Sequence, residues 1–365
     1  MTTRFSSIDV LRTVAIIVMV FVHFSENLAG YTPDVAGLGA PLFVFLSGAS
    51  YFLWSDAKLA RGTDARDVSK ISVRRGLFLF GAGIAFNVLV WLPEDVFNWD
   101  VLTFIGSALL ALNVVRRAPQ PICVLVACMA VLLSPVLQRM ADYAAFWEQG
   151  HFDYDWTLSD VLIGFLSTGY FPVFPWIALS IAGYLCASQL FARAGTDRDR
   201  PRTAKRLALL GLSLAVASAV LMTLRHVTSS VAVSRFLGGW DLYPPSTEYV
   251  LGTLGMAIML FAVGHRVLDL QPAPRRWRGL LATAESFSRY SLTIYVLHHI
   301  VHIWPLWAYG FSQTGDPTAY WQDAMPLGMA CALATIFLAA CWLVFHKLGG
   351  RRIWGLERCM RWVCD

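Results

Sequence analysis

Residues 8–24 read Ile8-Asp9-Val10-Leu11-Arg12-Thr13-Val14-Ala15-Ile16-Ile17-Val18-Met19-Val20-Phe21-Val22-His23-Phe24. The run is apolar apart from an acid, a guanidinium, a hydroxyl and an imidazole. At ~1.5 Å per residue, a helix of roughly 17–25 such residues crosses a hydrocarbon core. Nine more runs of this kind follow: Val35–Trp54, Gly76–Leu92, Val101–Val115, Pro121–Leu137, Tyr170–Phe191, Leu207–Leu224, Tyr249–Gly264, Ser291–Tyr309 and Pro326–Phe345. Val161–Ser167 reads as a short interfacial helix before the sixth. Barrel strands would alternate with period two, and these runs do not. Composition agrees: 57% of the 365 residues are hydrophobic and 15% charged, against about half and about a quarter in soluble chains. The expected fold is therefore all-α: a polytopic integral membrane protein with about ten transmembrane helices. With no internal repeat, low-complexity tract or soluble segment in view, residues 1–365 read as a single membrane domain.

Lys and Arg set the orientation. Of 29 such residues, 24 fall in one set of loops and tails, among them Arg4, Lys58, Arg74, Arg75, Arg116, Arg193, Arg198, Arg275, Arg351, Arg352 and Arg361. Only Arg139, Arg225 and Arg235 fall in the other set, while Arg12 and Arg289 lie at membrane depth. Both termini are thus expected in the cytoplasm, which makes the number of crossings even. Acids such as Glu26, Asp34, Glu94, Asp95 and Asp100 collect on the far side. The net charge of +5 follows from this asymmetry and calls for no nucleic-acid partner. The first run lacks a small-x-small cleavage site and is followed by nine others, so it does not read as a cleaved signal. The seven cysteines form no CxxC pair, and neither a disulfide framework nor a zinc site is indicated.

Polar side chains at membrane depth are costly and point to function. Asp9 and Arg12, three residues apart, are expected to pair on one helix face. Arg12 and His23, eleven apart, return to nearly the same face about 16 Å along the axis. Glu26 and Asn27 follow His23 by three and four residues, so either is placed to accept from its ring N–H and raise its basicity. That arrangement suits a general base at the outer mouth of a channel. An ordinary polar helix end, with Arg12 reaching toward lipid phosphate, would read the same way.

The ninth run carries a second constellation, Ser291-Leu292-Thr293-Ile294-Tyr295-Val296-Leu297-His298-His299-Ile300-Val301-His302. Tyr295, His298 and His302 share a face by their three- and four-residue spacing. His298 with His302 resembles a two-histidine metal face, but no third ligand or carboxylate is evident nearby, so no metal is expected. His302 and Trp304 read as interfacial, near a wet vestibule.

These residues carry a family resemblance. Asp9-x-x-Arg12 with Arg12-x10-His23 resembles the first-helix signature of the acyltransferase family 3 proteins, as does Pro41-Leu42-Phe43-Val44-Phe45-Leu46-Ser47-Gly48 in the second run. Trp99-Asp100-Val101-Leu102-Thr103-Phe104-Ile105-Gly106, Phe171-Pro172-Val173-Phe174-Pro175-Trp176 and Tyr290 to His298 are more similar to the heparan-α-glucosaminide N-acetyltransferase family. That second family tends to have Asn where this chain has His23, and a histidine in the following loop, where Ser25–Asp34 has none.

The resemblance implies an acyl-CoA-dependent O- or N-acetyltransferase in a bacterial cytoplasmic (inner) membrane. It would move an acyl group, foremost acetyl, from cytoplasmic acyl-CoA to an extracytoplasmic glycan or glycoconjugate. Its partners would be the bilayer, acyl-CoA and that acceptor; self-association is left open, and no cofactor is bound permanently. Arg74 and Arg75 would hold the CoA phosphates, with Arg12 and Ser47 along the donor arm. His23 would take the acceptor's proton, or His23 or His298 would carry the acyl group as an acyl-imidazole. Asp9 would orient Arg12 and Glu26 would support His23. Ser47 and Tyr295 are candidate oxyanion donors, and Asn27, Tyr295 and His302 would meet the acceptor. A transporter or flippase for a polar or glycolipid substrate is the competing reading, since buried charges also mark substrate pathways; a non-catalytic membrane sensor is a third.

Overall fold

In the computed structural model each of the ten apolar runs falls on a helix, as hydrocarbon requires of a backbone that must satisfy itself. The structure describes residues 4–91, 93–148, 150–191, 200–228, 236–272, 274–348 and 354–365. Arg193, Arg198, Arg235, Arg351 and Arg352 of the charge count lie outside the described residues. The helices are α1 (Ser6–Ala29), α2 (Ala36–Leu59), α3 (Ala65–Val90), α4 (Val101–Val115), α5 (Gln120–Met140) and α6 (Leu158–Ile163). There follow α7 (Val173–Phe191), α8 (Arg200–Val227), α9 (Thr247–Gly264), α10 (Arg278–Arg289), α11 (Ser291–Thr314), α12 (Leu327–Cys341) and α13 (Leu356–Cys364). A two-stranded hairpin, Trp147–Glu148 with His151–Phe152, is the sheet among the described residues.

Local chemistry sets the helix starts. Asp64, Asp100, Thr157 and Ser246 precede α3, α4, α6 and α9, and each side chain accepts from a first-turn N–H, supplying partners for otherwise orphan donors. Helix α1 stops at Gly30 in the left-handed conformation, φ 60°. A Cβ there would also lie 2.7 Å from the Gln322 carbonyl oxygen, so the cap and the approach of the 315–326 loop both require glycine.

Between helices, small residues replace the hydrophobic drive that lipid removes. Gly48 of α2 meets the Ser180 backbone of α7, and Gly183 of α7 meets the Phe45 carbonyl of α2. Gly211 of α8 and Gly255 of α9 face each other's backbone in the same way. Helix α1 is central, packing against α2, α10, α11 and α12.

Among the described residues, nine helices are long and apolar enough to span a membrane. Helix α11, with 24 residues, is not one of the nine, because its histidines lower its hydropathy. It crosses nonetheless. At its start the Leu292 amide donates to Glu357, and further along Trp307 donates to the Val90 carbonyl at the far end of α3. Among the described residues, ten helices therefore run between the two ends of the bundle. The basic loops gather at one end: Lys58 and Arg75 both bind Asp365, and Arg116 reaches the Ala65 carbonyl at the start of α3. The other end brings together the loops bearing Glu94, His151 and Trp321. There Tyr154 donates to the Glu94 carbonyl, and the rings of His151 and Trp321 lie 4.9 Å apart. Both described termini are at the basic end.

Candidate active site

A cavity of 450 Å³ opens at the basic end between α1, α2, α4, α11 and α13. That volume is within the range of about 300–1,000 Å³ typical of ligand pockets. Arg4, Asp9, Arg12, Ser47, Ser50, Trp54, Arg289, Tyr295 and Arg361 are among its walls. Arg12 is anchored from two neighbouring helices: it donates to Ser288 Oγ at 2.8 Å and to Ser50 Oγ. Its expected pairing with Asp9 is corrected. Arg4, just ahead of the helix, takes both Asp9 oxygens, with Nη2–Oδ1 2.7 Å and Nε–Oδ2 3.1 Å. A bidentate fork outcompetes a single-point contact from one turn along, which leaves Arg12 to the hydroxyls.

The donor-side expectations divide. Ser47 lines the cavity, its hydroxyl donating to the Val44 carbonyl at 2.7 Å. Arg74 and Arg75 are not in its lining. Arg74 is exposed, while Arg75 is bound to Asp365 and stacked over Trp54 at 4.5 Å. The cations that do reach the cavity are Arg4, Arg12, Arg289 and Arg361. Sequence periodicity gave no signal for Arg4, Ser50, Ser288 or Arg361, because each arrives from a different segment.

Tyr295 stands in the cavity wall and continues the path toward the opposite end. Its hydroxyl donates to Asp100 Oδ2 at 2.6 Å, and its ring centre lies 5.6 Å from His298 and 5.8 Å from His299. Behind it is an imidazole cluster. His23 of α1 has ring centres of His299 at 4.5 Å and His298 at 5.3 Å, and those two are 4.0 Å apart. The facing atoms of His23, His298 and His299 all lie within 4.8 Å of one another.

This corrects three expectations. The third imidazole beside His298 does exist, contributed by α1, and the neighbour of His298 in the cluster is His299 rather than His302. Glu26 and Asn27 turn away from His23: Glu26 accepts from Thr32 at 3.3 Å, and Asn27 meets His302. His302 is buried, not interfacial. The Asn27 amide donates to His302 Nε2 at 2.9 Å, so His302 Nδ1–H donates to the His298 carbonyl at 2.5 Å. Trp321 donates to Asn27 Oδ1 at 3.4 Å, which fixes the amide in that sense. Engaged on each other, Asn27 and His302 hold α1 against α11.

Two further groups steady the site. Glu357 of α13 accepts from the Leu292 and Thr293 amides, 2.7 and 3.0 Å, and from the Thr293 hydroxyl at 2.6 Å; a carboxylate satisfies the exposed donors at a helix N-terminus. Asp269 accepts from Ser7 Oγ at 2.5 Å and faces His265 Nδ1 at 2.9 Å. Here the carboxylate stands between hydroxyl and imidazole, the reverse of a nucleophilic triad, so the trio ties α1 to the turn after α9.

Residues 4–227 match the family model of the catalytic part of heparan-alpha-glucosaminide N-acetyltransferase. No curated protein matches the chain. Helix α11 and its histidines lie beyond the matched residues. The match does not extend to acyltransferase family 3, which stays a resemblance of the first two helices. The matched residues make up more than half of a chain whose described helices surround an arginine-lined cavity backed by histidines, and the chain belongs to the heparan-alpha-glucosaminide N-acetyltransferase family of membrane acetyltransferases.

Proposed function

We propose that the protein transfers an acetyl group from acetyl-CoA, bound at the basic end in the cytoplasm, to a hydroxyl or amine of an extracytoplasmic glycan or glycoconjugate. The observation that carries this reading is the cavity itself. Its mouth is lined by guanidinium groups, and its wall reaches Tyr295, in ring contact with the cluster containing His23. CoA is an anion with a long thin arm. Arg361 suits its phosphates as a fork-shaped donor, and Arg4 and Arg289, paired with Asp9 and Glu285, add positive charge beside it. The eleven residues from Arg12 to His23 span about 16 Å, a length the extended arm can bridge.

In this reading the acceptor hydroxyl or amine attacks the thioester carbonyl while a neutral histidine takes its proton. The carbon–sulfur bond breaks, and the CoA thiolate leaves and is reprotonated. His23 is the base we favour, because it is partly accessible while His298 and His299 are buried. Ser47 and Tyr295 line the cavity as candidates to steady the oxyanion. Asp9 acts through Arg4, holding the mouth of the cavity. The test is purified protein given labelled acetyl-CoA with and without a mixture of glycan acceptors. CoA release with label moving to an acceptor is expected; an intact thioester with every acceptor class would reject the proposal.

A further inference from the structure

His298 and His299 are consecutive on α11, so their side chains diverge by about 100° around the helix. Helix α1 passes alongside and brings His23 against both rings, 5.3 Å from His298 and 4.5 Å from His299, which are 4.0 Å apart. The result is three imidazoles whose facing nitrogens lie within 4.8 Å of one another, with no carboxylate or thiolate in the set. The hydrogen bonds around them are selective. His298 Nδ1–H donates to the Ile294 carbonyl at 3.3 Å, which leaves the lone pair on Nε2. That Nε2 is buried without a partner, and so is Nδ1 of His299. Both rings are at least nine-tenths buried. His302, by contrast, uses both nitrogens on Asn27 and the His298 carbonyl, so it is excluded from the set.

We propose that His23, His298 and His299 form a three-imidazole binding site for a single borderline divalent cation of the Zn²⁺ class. The inference rests on the geometry of the cluster and not on the acyltransferase reading. Neutral imidazoles suit zinc, copper, nickel and cobalt rather than magnesium or calcium. Three protein ligands with an open fourth position match a tetrahedral ion with Zn–N of about 2.0–2.1 Å. Such an ion sets its ligand nitrogens about 3.3 Å apart, so the rings close by up to about 1.5 Å through side-chain rotation. The His298 bond to a backbone carbonyl supplies the outer partner that metal-bound histidines use to fix their tautomer. His23 is six residues, about 9 Å, from the end of α1. A bound cation occupies the lone pair that acyl transfer would draw on, so cation occupancy and transfer exclude each other.

The test uses the full chain in detergent, stripped with chelator and titrated with Zn²⁺, bound metal being measured by mass spectrometry. Wild type is expected to bind one Zn²⁺ per chain, as is the His226→Ala control. His298→Ala and His299→Ala are expected to lose affinity by about 100-fold or more, beyond the loss seen for outer partners. Binding kept in His299→Ala, or no saturable binding in wild type, overturns the proposal. Co²⁺ gives a second measurement on wild type alone, independent of any folding defect in the variants. An intense tetrahedral visible spectrum is expected, and the weak spectrum of an octahedral ion would overturn the site. Neither outcome touches the thioester assay, which is run in chelator.

Discussion

Asn27 on α1 donates its side-chain amide to Nε2 of His302 on α11, 2.9 Å away, in a buried position between the two helices that bear the imidazoles. The bond leaves His302 neutral, with its second nitrogen on the carbonyl of His298. It thereby ties the spacing of His23 and His298 to a fixed hydrogen-bond chain.

Asn27→Ala is expected to lower stability by about 1–3 kcal/mol, the cost of leaving a buried polar atom unpaired. Turnover should fall along with it, because the facing histidines lose their brace. Thermal unfolding in detergent and acetyl-transfer rates check this. A variant as stable as wild type would mean that the pair carries no load.

Asp9→Asn should be mild. Arg4 is partly exposed, with side-chain exposure of 38%, and water screens such a pair to at most about 1 kcal/mol. Arg12 keeps its hydroxyl partners in that variant, so it is not stranded at membrane depth. A loss of several kcal/mol in the unfolding curve would show that Asp9 supports Arg12 after all.

Donor binding should depend on the cations that line the cavity. Arg361→Ala and Arg289→Ala are expected to weaken CoA binding more at low salt than at high salt. Arg74→Ala should leave it unchanged. Arg12→Lys keeps the charge but loses the fork held by Ser50 and Ser288, and donor affinity should fall with it. Equal effects of Arg74 and Arg361 substitutions would put the nucleotide outside the cavity.

Reporter fusions at Asp64 and Asp153 should signal from opposite sides of the membrane, since Asp64 caps the basic end of α3 and Asp153 follows the hairpin at the other end. Same-side signals would reject ten crossings. The site Asp197, which the charge pattern also places at the basic end, lies outside the described residues.

The crossings were legible because run length is a one-dimensional property of the chain. Even α11 could be read, although three histidines lower its hydropathy below that of the nine more apolar helices. The site was legible where one helix carries the pattern, as in the stripe from Arg12 to His23. It was not legible where partners arrive from elsewhere. Arg4 precedes the helix on which Asp9 and Arg12 seemed matched, and Ser288 and Ser50 come from α10 and α2. His299 was passed over because three- and four-residue spacing pairs His298 with His302. Two consecutive residues become a cluster only when a second helix brings a side chain against both, and sequence spacing does not show which helix does so.

His23→Ala protein, folded and monodisperse, offers the most direct measurement when its turnover and CoA affinity are read side by side in chelator, with His298→Ala in parallel. Loss of a general base should lower turnover by about 10²–10⁴-fold, with CoA affinity unchanged because the nucleotide is held at the opposite end of the bundle. His23→Gln should be nearly as poor, since an amide cannot take the proton. Near-normal transfer by His23→Ala beside an inactive His298→Ala would contradict this and move the base to α11.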